Sequence, residues 1–140
     1  MRTVDRSHVH AWYILTAALA LHVADEAFTD FLGFYNPTVL AVRSRLPWFP
    51  MPTFTFGPWL GGLIALVVIL LLLAPAVERG APGTRLASWA LGVIMLLNGC
   101  GHLAGSAYFG RWLPGTTSAP VLVVASLWLA RCTALRARRA

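Results

Sequence analysis

Leu63-Ile64-Ala65-Leu66-Val67-Val68-Ile69-Leu70-Leu71-Leu72-Leu73-Ala74 is an unbroken apolar run. Extended to Phe56–Val77, it reaches the length of about 20 residues that an α-helix needs to cross the hydrocarbon of a bilayer. Three further stretches have the same character: His10–Phe34, Leu86–Phe109 and Leu113–Ala134. The expected fold is all-α, a four-helix transmembrane bundle in a single integral membrane domain, with spans near 10–34, 56–77, 86–109 and 113–134. Composition agrees. The chain is 58% hydrophobic and 11% charged, whereas a soluble domain carries about 25% charged residues.

The connections suit this count. Glu78-Arg79-Gly80-Ala81-Pro82-Gly83 and Arg111-Trp112-Leu113-Pro114-Gly115 are short turns rich in breakers. Only the Tyr35–Thr55 connection is long. Asn36 before Pro37 reads there as an N-cap with proline at the first helical position. Val39, Leu40, Val42 and Leu46, with Arg43 and Arg45, then suggest a short interfacial helix between the first and second spans. The alternative is an irregular loop broken by Pro47, Pro50 and Pro52. Trp48, Phe49, Phe54, Phe56 and Trp59 read as an interfacial aromatic belt.

All the basic residues are arginines, and they bracket the apolar runs rather than spread over a polar face. That pattern excludes a nucleic-acid partner and points to the membrane. Arg2, Arg6, Arg79, Arg85, Arg131, Arg136, Arg138 and Arg139 fall on one side of a four-span bundle, Arg43, Arg45 and Arg111 on the other. The positive-inside rule then puts both termini in the cytoplasm. Arg2 and Arg6 followed by an apolar run and Ala18-Leu19-Ala20 have some features of a signal peptide. Helical patterning continues through Ala20, so the segment is expected to be a retained span. Cys100 and Cys132 are too far apart for a disulfide and are expected to be buried small hydrophobes.

Polar groups interrupt two of the spans. The first contains His22-Val23-Ala24-Asp25-Glu26, the third Asn98-Gly99-Cys100-Gly101-His102. A carboxylate at mid-membrane costs roughly 2.5–3.5 kcal/mol on insertion scales, so these groups need partners. His22 and Glu26 are four residues apart, as are Asn98 and His102, and each pair lies on one helix face. Both stripes should face the bundle interior. At 1.5 Å per residue, His22 lies about 18 Å and Glu26 about 24 Å along the first span from His10. Asn98 and His102 fall at the same depths along the third span from Leu86. The stripes are therefore expected to meet.

Three readings of the joined site follow. His22, Glu26 and His102 can ligate a divalent metal, zinc or iron, with Asp25 as a further ligand or supporting partner. Without a metal, Glu26 and Asp25 can donate a proton and a histidine accept one, while Asn98 orients a partner or holds a substrate oxygen. The third reading is a satisfied polar network that fixes helix packing. Asp30, Tyr108 and Arg111 belong to the outer rim, where Asp30 is expected to be solvated or to line a mouth. Gly99, Gly101 and Gly105, with Gly61 and Gly62, allow close helix approach or leave room for a ligand, and Trp59 can wall it. His8 and His10 are expected to be interfacial.

His22-Val23-Ala24-Asp25-Glu26, then Asn98 and His102, then Leu113-Pro114-Gly115, resemble the H-x-x-E-E family of small bacterial membrane proteins. The resemblance implies a four-helix membrane domain over nearly the whole chain, with His22, Asp25, Glu26, Asn98 and His102 as its functional residues. The chain departs in placing Asp25 where the family has its first glutamate. The shorter side chain reaches about one bond less far, which weakens direct ligation there more than at Glu26.

The leading expectation is a membrane-embedded, metal-dependent enzyme acting on a lipid or lipid-soluble, amphipathic small molecule. Its catalytic groups would be Glu26, Asp25 and Asn98, its metal ligands His22, Glu26 and His102. Hydrolase, isomerase and oxidoreductase chemistry are all compatible with these groups. The alternatives are a non-enzymatic binder or transporter of metal or protons, or a structural membrane partner. A homo-oligomer is compatible with each.

Overall fold

The computed structural model describes residues 6–137. Arg2, Arg138 and Arg139, three of the arginines used to orient the chain, lie outside the described residues. The described chain is five helices and no strand: α1 (Arg6–Phe28), α2 (Phe31–Arg45), α3 (Phe56–Glu78), α4 (Thr84–Phe109) and α5 (Ala119–Ala137). Two of them, α3 and α4, are long and apolar enough to cross a membrane, with mean hydropathies of 2.8 and 1.4.

The packing follows from side-chain periodicity. On α1 the buried residues include His8, Trp12, Leu15, Leu19, His22 and Glu26, a four–three alternation that keeps one stripe facing its partners. Ala119, Leu122, Ala125, Leu129 and Cys132 form a matching stripe on α5, and Leu91, Met95 and Gly99 on α4. α1 packs against α3 on one side and α5 on the other, and α5 packs in turn on α4. α3 and α4 are thus the outer helices. The apolar residues they leave exposed, such as Leu72 at 74% and Leu97 at 67%, suit lipid rather than water.

α4 and α5 approach closely at Gly99. A Cβ there would stand 2.8 Å from Val123 Cγ2 and 3.1 Å from the Ala119 carbonyl oxygen. Gly99→Leu should therefore part the two helices, costing about 1–3 kcal/mol. Thermal unfolding in detergent would register it as a clear drop in midpoint, and an unchanged midpoint would contradict the packing described. By contrast, a Cβ at Gly61, Gly62 or Gly101 would meet nothing within 4 Å, so these glycines do not serve close helix contact.

The expected boundaries need three corrections. The first apolar stretch is not one helix to Phe34. It stops at Phe28, and Asp30 turns the chain through the left-handed region (φ 56°, ψ 52°). Aspartate tolerates that conformation better than most residues. Asp30 then caps α2, its Oδ1 accepting the Gly33 N–H at 3.2 Å. The helix start expected at Asn36-Pro37 is consequently displaced to Phe31, and Pro37 lies inside α2. Asn36 instead fastens α2 to the approach to α3: its Nδ2 donates to the Phe54 carbonyl at 2.8 Å, and its Oδ1 accepts the Phe54 N–H at 3.0 Å. Both readings of the long connection hold in part, with a helix to Arg45 followed by an irregular proline-rich segment.

Third, the last helix begins at Ala119 and not at Leu113. Residues 113–118 form a turn that Gly115 enters at φ 81°. Two single residues also differ from expectation. His8 is fully buried, with Nε2 3.0 Å from Ser88 Oγ, rather than interfacial. Cys100 is exposed, standing about 200° around α4 from Asn98, while Cys132 is buried; neither is in a disulfide.

Candidate functional site

α1 delivers His22, Asp25 and Glu26, and α4 delivers Asn98 and His102; the two helices touch little along their length, and both pack on α5. The two stripes do meet. The His22 and His102 rings stand edge to face with centroids 4.8 Å apart. Glu26 Oε1 lies 3.1 Å from His102 Nε2 and 3.7 Å from His22 Nε2. His22 and Glu26 are buried, and His102 is nearly so.

The outer nitrogen of each ring is tied down by the turn before α5. His102 Nδ1 lies 2.7 Å from the Pro114 carbonyl oxygen. A carbonyl can only accept, so Nδ1 carries the proton. His22 Nδ1 lies 2.7 Å from Ser118 Oγ. That hydroxyl donates to Asp25 Oδ2 at 2.7 Å, so it receives its bond from His22, and Nδ1–H is the protonated nitrogen there as well. Asp25 Oδ2 also accepts the Ser118 backbone N–H at 2.9 Å. The carboxylate thus sits at the N-terminus of α5, where free N–H groups and the helix dipole favour a negative charge.

With both Nδ1 atoms protonated, a ring in its neutral form turns its Nε2 lone pair inward. Two imidazole lone pairs and a carboxylate oxygen then converge, the three ligand atoms lying within 4.8 Å of one another. Asn98 Oδ1 stands 3.1 Å from His22 Nε2. Turning the amide over would give that nitrogen an N–H, but Glu26 would still face a lone pair from His102. Such an electron-rich focus requires a cation between its members, either a proton or a metal ion. Zinc bonds of about 2.0–2.1 Å place neighbouring donors roughly 3.3 Å apart; the two separations from Glu26 Oε1, 3.1 and 3.7 Å, are near that, while the set as a whole is looser, within 4.8 Å.

The turn around Gly115 closes the site from above. A Cβ on Gly115 would stand 2.7 Å from His102 Cε1 and 3.1 Å from Glu26 Cγ, so only glycine lets the turn lie this close. Ser106 Oγ and Thr116 Oγ1 share a hydrogen bond of 2.6 Å, and Ser106 Oγ also accepts the Leu113 N–H at 3.0 Å, which clamps the turn to α4. On the α2 side, the Phe31 ring stands 5.7 Å from His102 and stacks on Trp59. Trp59 therefore walls the region through Phe31.

The expected site residues are distributed as follows. His22, Glu26 and His102 form the converging set, Asn98 touches it through His22, and Asp25 reaches it only through Ser118. Asp30 and Arg111 do not pair; each lines an outer groove instead. Sequence reading missed Ser118 and the Pro114 carbonyl. The signal for Ser118 was present, since a serine followed by Ala119-Pro120 is a helix-start pattern, but nothing in it told that Asp25 and His22 would be its partners.

The sequence profile described as "Protein of unknown function with HXXEE motif" matches residues 13–129. That span takes in His22, Asp25, Glu26, Asn98, His102 and Ser118. No curated protein and no solved structure matches the chain.

Proposed function

The chain belongs to the HXXEE-motif family, whose function is unknown, and from that premise we propose that it is a membrane-embedded, metal-dependent enzyme. One observation carries the reading: both histidines are anchored through Nδ1, so that both Nε2 atoms and Glu26 Oε1 point at one buried spot. Ring nitrogens held by an outer acceptor are the usual arrangement of histidine ligands. Two imidazoles and one carboxylate suit zinc, or iron with open positions. A divalent cation here would supply Lewis-acid polarisation of a substrate oxygen or water. Glu26 would balance its charge and hold or release a proton, and Asn98 would present its amide to a substrate oxygen.

The substrate class is argued from the surroundings. On this reading α1, α3, α4 and α5 are four spans of one domain with both termini cytoplasmic, and the cluster then falls in the outer half of the cytoplasmic membrane. A lipid-soluble or amphipathic molecule reaches such a site laterally. A conduit for metal or protons would need a polar lining that continues across the bundle. Between the cluster and the buried His8 instead lie Trp12, Leu15, Leu19, Leu122, Leu129 and Met95, and the buried hydroxyls among them, Thr16 and Ser126, are spent on carbonyls of their own helices. The dead end favours a reaction site over transport.

Metal analysis tests the reading. Purified protein loaded with zinc or iron(II) should hold one ion per chain, and His22→Ala and His102→Ala should each bind it at least a hundredfold more weakly. A chain that folds normally and binds neither ion would sink the metal centre. A second reading would then stand on the 3.1 Å separation of Glu26 Oε1 and His102 Nε2: a shared proton between carboxyl and imidazole, working as a metal-free acid–base pair.

A further inference from the structure

A groove of about 630 Å³ lies between α2 and the α4–α5 connection, apart from the histidine cluster. Its lining mixes one cation, one anion and two hydroxyls: Arg111, Asp30, Thr29 and Thr38, against the apolar faces of Phe34 and Trp112. The two charges do not satisfy each other. Among the described residues the ion pairs are the two His–Glu contacts of the cluster. The Arg111 guanidinium instead stands over the Phe34 ring, 5.7 Å from its centroid. Asp30 spends one oxygen on the Gly33 N–H and retains capacity for further donors.

The groove's height also bears on what it takes. It opens where α1 ends at Phe28 and α4 ends at Phe109. Phe28, Tyr108 and Trp112 project there, exposed by 90%, 85% and 74%. Aromatic side chains and arginine gather in this way at the headgroup level of a bilayer. Separated opposite charges at that level match a headgroup that itself carries separated opposite charges. A purely anionic headgroup would meet Asp30, and a purely cationic one would meet Arg111.

We infer that this groove is a binding site for the zwitterionic headgroup of a membrane phospholipid of the aminoethyl phosphate type, phosphate on Arg111 and ammonium on Asp30. An ammonium offers three N–H donors to a carboxylate, and a guanidinium offers a planar fork to phosphate oxygens. The inference rests on the chain spanning the membrane and is independent of any metal. It also supplies the cluster with a lipid neighbour, since Pro114 both lines the groove and holds His102.

The test is a titration of the purified protein in detergent with dioleoylphosphatidylethanolamine and, separately, dioleoylphosphatidylglycerol, with bound lipid counted by native mass spectrometry. Wild type should bind the ethanolamine lipid about tenfold more tightly than the glycerol lipid, the size of one charge-assisted contact. Asp30→Asn is the decisive variant, because asparagine keeps both the cap and the left-handed backbone while removing the charge. It should abolish the preference. Arg111→Gln should weaken both lipids about tenfold, and Arg111→Lys should restore most of that, which separates charge from folding. Equal binding of both lipids by wild type, or a preference that survives Asp30→Asn, would overturn the inference. Metal loading, measured on the same variants, should stay at the wild-type level. A wild type that binds no metal would count against the proposed enzyme and leave the lipid result standing.

Discussion

Gly115→Ala should cripple the protein although it adds a single methyl group. Two costs combine at this position. The backbone sits at φ 81°, in the left-handed region where an L-residue pays roughly 1–2 kcal/mol. The new Cβ would also stand 2.7 Å from His102 Cε1 and 2.8 Å from its Nδ1, closer than real Cβ contacts allow. The ring is held on its other side by Glu26 and cannot retreat without losing the Pro114 carbonyl. Overpacking of this kind adds about 1–3 kcal/mol, so the sum is roughly 2–5 kcal/mol, a large fraction of a small protein's stability. Thermal unfolding in detergent should show it, and metal binding should fall with it. Gly83→Ala is the internal control, since Gly83 shares the left-handed backbone (φ 83°) but its Cβ would meet nothing within 4 Å. If the two variants lose equal stability, the turn does not press on His102 as described.

That contrast marks what the sequence made legible. The helical class followed from apolar runs such as Leu63–Ala74, whose composition admits little else. The meeting of His22 and Glu26 with His102 followed from period and depth, because rise per residue is nearly constant and lipid cannot satisfy polar groups. The break at Asp30 was hidden, since apolar residues continue through Phe31, Leu32 and Phe34 and only one left-handed residue turns the chain. Leu113–Ser118 was hidden for a different reason: none of its residues is charged and Pro114 suits a helix start, yet Gly115 and the hydrogen bonds of Ser106 make it a turn. The outer anchors of the histidines could not be read at all. Ser118 lies 96 residues from His22, and no local pattern encodes a partner at that distance.

Those anchors lead to the second large effect, at Asp25. Its carboxylate receives both the Ser118 hydroxyl and the Ser118 N–H, and the same hydroxyl receives His22 Nδ1–H. Asp25→Ala therefore removes two charge-assisted hydrogen bonds, leaves a buried N–H at the head of α5 without an acceptor, and frees the Ser118 hydroxyl to rotate toward the Gly115 carbonyl, 3.3 Å away. Hydrogen bonds to charged groups contribute about 1.5–3 kcal/mol each. Asp25 is partly exposed, so a combined loss of about 2–4 kcal/mol is the scale to expect. The site should suffer separately. With Ser118 no longer fixed as an acceptor, His22 loses its preferred tautomer and orientation, and metal affinity should fall about 10–100-fold, as for other outer-partner losses. Asp25→Asn should recover much of the stability, because its Oδ1 can still accept the Ser118 N–H, but little of the affinity, because the charge that polarises the hydroxyl is gone. Asp25 is thus a positioning residue acting through Ser118. The combination with Ser118→Ala checks this: the double variant should bind metal no more weakly than either single one, since both cut the same chain to His22. Fully additive losses would mean that Asp25 reaches the metal by a route of its own, and the role assigned to Ser118 would fall.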